Sequence, residues 1–147
     1  MKSSLFAILI ILRLSSSAVL AQNNPLIKDP WTKSQLMAPS VLASIIKNPK
    51  AIKPFIFNIG VVENIKGAKN MGAASEKENL ERFKKKLSSI PKNAAIVIYC
   101  GCCPFEKCPN IRPAFTAMQQ AGFKSGWLLN LPTNVKVDWI NKGFPLD

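Results

Sequence analysis

Residues 93–99 read Asn-Ala-Ala-Ile-Val-Ile-Tyr, a run that is continuously apolar from Ala94, too short for a helix and rich in β-branched side chains. A strand that is apolar at successive positions, rather than at alternate ones, has to be covered on both faces. Parallel sheets meet that condition, because their crossover connections lay helices on each side. The rest of the chain must then supply those helices.

Its patterning does so. A loose lead-in reaches a short extended piece near Gln35–Met37. Pro39 suits the first turn of a helix whose apolar face is Val41, Leu42, Ile45 and Ile46. Phe55–Ile59 reads as a strand stopped by Gly60, and residues 61–72 read as a loop with two glycines. Residues 75–90 read as a helix with Leu80, Phe83 and Leu87 on one side, opened by a Ser75–Glu78 capping box. Ile111, Ala114, Phe115, Met118 and Ala121 form the apolar face of another helix, which ends at Gly122. Residues 126–131 give a further short strand, and residues 137–145 close the chain with a turn of helix in which Asp138 caps and Trp139 enters the core. Strands and helices alternate. The expected fold is α/β, a single domain with a central parallel sheet and helices on both faces, and 147 residues suffice for one such core.

The N-terminus has a basic start at Lys2, an apolar run from Leu5 to Leu12 and small residues before a cut after Ala21. Residues 1–21 are expected to be a secretory signal and residues 22–147 the exported domain, periplasmic or secreted. An uncleaved anchor is the main alternative. Arg13 leaves the apolar run too short to span a bilayer, so no stable membrane insertion is expected after cleavage. No cysteine lies near the cut, which excludes lipid attachment there.

Removing residues 1–21 takes away Lys2 and Arg13 and no acid, so the formal charge of +12 becomes +10. Such a chain favours anionic partners. Nucleic acid is not expected among them: the densest basic run, Arg82–Lys86, has no aromatic-interleaved motif around it and reads as a solvated helix face. The chain has no histidine. That excludes Ser-His-Asp and Cys-His machinery and every His-ligated metal site.

All four cysteines, Cys100, Cys102, Cys103 and Cys108, fall within nine positions directly after the apolar strand. In open α/β sheets ligands bind at the carboxyl ends of the strands, where the next helix presents its N-terminus. Cys100 therefore sits where unpaired amides and a helix dipole favour a thiolate, with Lys107 and Arg112 adding positive charge.

Here the sequence resembles a rhodanese-like domain, the sulfurtransferase fold in which a strand-end cysteine carries a persulfide. The matching residues are Tyr99–Cys100, a loop leading to Arg112–Ala114, a helix ending in Ala121–Phe123, the upstream Gly67–Ala68 loop, and the closing Trp139 ahead of Gly143-Phe144-Pro145. The match spans about Trp31–Pro145. It departs at Asn58 and Gly60, where the family places an acid and an arginine, at Asn64 in place of a loop histidine, and in loop length. Arg112 lies twelve positions after Cys100 rather than about five, and the expansion holds the other three cysteines.

The resemblance implies that Cys100 is the persulfide-forming nucleophile, that loop amides such as that of Gly101 stabilise the anion, and that Arg112 and Lys107 help bind the substrate. The implied partners are a small sulfur-donor anion and a thiol acceptor, with no cofactor and no metal. Cys102, Cys103 and Cys108 are read as resolving or disulfide thiols, Cys102 or Cys103 pairing with Cys108 in an oxidising compartment. Two readings of other classes stand beside this one. The first is an exported thiol-rich module for copper or zinc, the second a catalytically silent binding domain. A cysteine phosphatase is disfavoured, because the arginine lies too far from Cys100. Asn58 and Glu63 are candidates to line the same cleft, Glu63 more often being a plain surface charge.

Overall fold

The computed structural model describes residues 28–147, so the expected signal segment lies outside the described residues. Five strands, β1 (Leu36–Met37), β2 (Phe55–Asn58), β3 (Ala68–Asn70), β4 (Ile96–Tyr99) and β5 (Gly126–Leu129), form one sheet in the order β1-β5-β4-β2-β3. Every pairing is parallel. The uniformly apolar β4 occupies the centre, and its four side chains are completely buried. Each contributes on the order of 1.5–3 kcal/mol by leaving water.

Four helices cover the sheet: α1 (Pro39–Lys47), α2 (Lys77–Ser88), α3 (Ile111–Gln120) and the short α4 (Val135–Asp138). Successive β4 side chains point to opposite faces. Ile96, Ile98 and the following Cys100 join Phe83 of α2 and Phe115 of α3 in one core cluster. Val97 and Tyr99 join Leu42 of α1 and Trp139 in the other. The expected α/β domain with helices on both faces is thus what forms. Among the described residues, no helix is long and apolar enough to cross a membrane.

Three local expectations change. The glycine loop contains a strand, β3, because Ala68–Asn70 adds to the open edge of β2. The Ser75–Glu78 capping box does not form: α2 begins after Glu76, and the Ser75 amide donates to Asn110 Oδ1 at 2.9 Å instead. Val41 is half exposed while Ala43 is buried, since α1 turns a narrower stripe to the sheet. The Arg82–Lys86 run behaves largely as a solvated face, with Phe83 buried, Arg82, Lys84 and Lys85 exposed and Lys86 half-buried. Asp138 accepts from the Thr133 and Asn134 amides ahead of α4, and Trp139 is fully buried.

Candidate functional site

β4 ends at Tyr99 in the middle of the sheet, and Cys100 is the next residue, only 2% exposed. Its backbone lies against the end of β2. A Cβ added to Gly60 would fall 2.6 Å from the Cys100 sulfur and 3.1 Å from its carbonyl oxygen. Gly60 is therefore more than a strand stop: hydrogen in place of a side chain there makes room for the thiol. Asn58, fully buried, shapes that edge by accepting from the Gly60 amide at 3.0 Å and donating to the Val62 carbonyl at 2.8 Å and to Asn64 Oδ1 at 3.1 Å. Both Asn58 and Asn64 thus hold the neighbouring loop. Glu63 keeps its side chain at the surface, and its carbonyl accepts from the buried Tyr99 hydroxyl.

The chain turns sharply at Gly101, whose φ of +71° lies in the left-handed region that favours glycine. A side chain there would also strike Val135 at 2.8 Å, and the Gly101 carbonyl receives the Val135 amide at 2.8 Å. This turn sends the loop back over Cys100. A 3-10 turn at Phe105–Lys107 then delivers Cys108, buried, to the head of α3.

The result is a cluster of thiols. The sulfurs of Cys100, Cys102 and Cys108 all lie within 4.8 Å of one another, a spacing at which they can share a metal ion. Two sulfur–sulfur approaches are 3.2 Å, Cys100 to Cys102 and Cys102 to Cys103. All four cysteines are free thiols. Cys102 is exposed, Cys103 half-buried, and Cys100 and Cys108 buried. The closest sulfur approaches of Cys102 are thus to Cys100 and Cys103, and the Cys108 sulfur lies within 4.8 Å of it.

Electrostatics divide the buried pair. The Cys100 thiol beside it draws the Cys108 pKa down, against burial and with help from the amides of Asn110 and Ile111 at the head of α3, to about 5. Cys100 moves upward, first because a proton on it satisfies Cys108 and second because it is buried, against hydrogen bonds from the Cys102 amide and Asn110. Burial, with Cys102 alongside, pushes Cys103 up to about 12. These shifts favour the thiolate at Cys108, whereas strand-end reasoning alone favours it at Cys100. Two thiols this close share one charge.

Asn110 is the residue that sequence reasoning missed. It is 3% exposed, donates to the Cys100 sulfur at 3.2 Å and accepts from the Ser75 amide, joining the cysteine loop to the lead-in of α2. An asparagine just before a helix reads as a cap, and nothing local distinguishes this one. Lys107 is exposed on the 3-10 turn. Arg112 is already engaged: it donates to the carbonyls of Phe105 at 3.1 Å and Cys108 at 3.5 Å, and it pairs with Asp29 at 2.7 Å. Its guanidinium lies 5.7 Å from the Trp31 ring, which packs edge-on against Phe105 and Phe115. The segment around Asp29–Trp31 thereby straps the loop onto α3. Compared with family models, curated proteins and solved structures, the chain matches none.

Proposed function

We propose that this protein is a thiol and sulfane-sulfur exchange protein of the rhodanese-like kind, working after export, with Cys100 as the residue that holds the persulfide. The observation that carries this reading is the 3.2 Å separation between a buried strand-end thiol, Cys100, and an exposed one, Cys102. Sulfane-sulfur transfer is thiolate attack along a sulfur–sulfur axis, and two sulfurs in contact need little motion to perform it.

An exposed Cys102 thiolate attacks the outer sulfur of a small anionic donor such as thiosulfate. The donor's sulfur–sulfur bond breaks, sulfite leaves with the electron pair, and Cys102 carries the persulfide. Cys100 passes its proton to Cys108 and attacks the outer sulfur, and the bond from that sulfur to Cys102 breaks. Cys100 then holds the persulfide beside the Asn110 amide, and the Cys102 thiolate is regenerated. The reverse transfer returns the sulfur to Cys102, where an acceptor thiolate takes it. No electrons are gained or lost over the cycle. Arg112 supports this chemistry by fixing the loop rather than by meeting the donor, since its contacts are with carbonyls and Asp29. Lys107 is exposed on the same loop, where its charge favours an anionic donor.

The test is the intact mass of the reduced protein after thiosulfate or a polysulfide. One added sulfur atom, removable by dithiothreitol, is expected for the wild type. Cys100→Ala is expected to lose the stable adduct, and Cys102→Ser to slow its formation. Loading that survives Cys100→Ala, or no loading at all, overturns the proposal, and the second result favours a silent binding domain.

A further inference from the structure

We infer that Cys100, Cys102 and Cys108 form a three-thiolate binding site for a soft monovalent metal ion, Cu(I) by its chemistry. The inference needs only the three sulfurs and stands apart from sulfur transfer. These atoms all lie within 4.8 Å of one another, with Cys100 and Cys102 at 3.2 Å. A metal–sulfur bond of about 2.3 Å places three sulfurs of a trigonal plane about 4 Å apart. The Cys100–Cys102 edge is shorter than that value and no edge exceeds 4.8 Å, so metal entry needs each edge to move by no more than about an ångström.

The triangle is held by the fold. Cys100 is fixed by β4, by the glycine hydrogen at position 60 and by Asn110. Cys102 follows the left-handed turn at Gly101, which is lodged against Val135. Cys108 is set by the 3-10 turn, its amide donating to the Phe105 carbonyl at 3.2 Å. Two ligands are buried and one faces solvent, so an ion held by the three is reached from the Cys102 side.

Ligand chemistry selects the ion. The group contains no carboxylate, and the chain has no histidine. A structural zinc site wants four ligands in a tetrahedron, and the only further thiol, Cys103, is the chain neighbour of Cys102. Thiolates alone, in a set of three, suit Cu(I) better than harder or four-coordinate ions. On binding, three sulfur–metal bonds form from three thiolates and the thiol protons leave to solvent. The metal is monovalent before and after, so no electron moves. Occupation ties up the Cys100 sulfur, so copper loading and sulfur loading exclude each other.

The experiment is an anaerobic competition of the reduced full chain against a chromogenic Cu(I) chelator, with sulfur loading measured by mass on metal-free portions of the same samples. One Cu(I) per chain is expected to be withheld from the chelator. Cys102→Ser changes an exposed position and is expected to weaken retention by more than about a hundredfold, beyond what loss of an outer hydrogen bond does. Cys103→Ser is expected to stay within about threefold of wild type, well inside that range. Circular dichroism establishes that each variant is folded. The inference is overturned if the chelator takes all the copper, if Cys103→Ser weakens retention as much as Cys102→Ser, or if the protein holds zinc and releases Cu(I). Copper release with intact sulfur loading sinks this inference alone; copper retention without sulfur loading sinks the exchange reading alone.

Discussion

An alanine at position 60 sets a methyl carbon 2.6 Å from the Cys100 sulfur, with the Cys100 carbonyl oxygen at 3.1 Å and its Cα at 3.3 Å. Ordinary contacts between such atoms begin at about 3.5 Å, so the sulfur must retreat by about 1 Å. That retreat breaks its 3.2 Å approaches to Asn110 and Cys102. Overpacking of this kind costs about 1–3 kcal/mol. Position 60 is not among the glycines with positive φ, so alanine also recovers about 0.4–1 kcal/mol through the unfolded chain. Gly60→Ala is therefore expected to destabilise the reduced protein by about 1–2 kcal/mol in urea unfolding, and to slow persulfide formation. In a Cys100→Ala background the sulfur is gone and only the 3.1 and 3.3 Å contacts remain. The same substitution should then be nearly neutral, leaving a coupling of about 1–2 kcal/mol in the double-mutant cycle. Equal costs in the two backgrounds, within about 0.5 kcal/mol, would refute the claim that glycine is there for the thiol.

Asn110→Ala removes a donor from Cys100 and an acceptor from the Ser75 amide, and is expected to cost about 1–3 kcal/mol in denaturant unfolding; a change below the low end would count against the bridge. Trp31→Ala removes two edge-on aromatic contacts worth about 0.5–1.5 kcal/mol each and the seat of the Arg112 guanidinium, so alkylation of Cys108 should accelerate. Unchanged alkylation would mean that the strap does not hold the loop. Thiolate absorbance should rise in a step near pH 5 that disappears in Cys108→Ser. In the linkage, the lowered Cys108 pKa makes stability rise between about pH 5 and 9, since the unfolded chain binds the extra proton there. The raised Cys100 and Cys103 values make stability fall above pH 9, where only the unfolded thiols ionise. A stability curve falling from pH 5 to 8 contradicts this assignment of charge.

What the sequence by itself determined is the frame. A run as apolar as Ile96–Tyr99 has one economical environment, the middle of a parallel sheet, and the amphipathic helices on either side supply its cover. Parallel topology in turn places Cys100 at a strand end facing the head of a helix. These are consequences of periodicity and chain direction, which are local and can be read in order. Tertiary structure alone decided how the thiols are arranged and charged. Gly60, Asn58 and Asn110 are separated from Cys100 by many residues or by a folded loop, and each acquires its role only when β2, β4 and α3 are packed side by side. Ser75 shows the same limit: its local signature is a capping box, but a buried asparagine on another element offered its amide a better acceptor. The Cys108 pKa is drawn down because a second thiol and two helix-head amides converge on it in space. Convergence of that kind depends on distances between distant parts of the chain, and no local pattern records them.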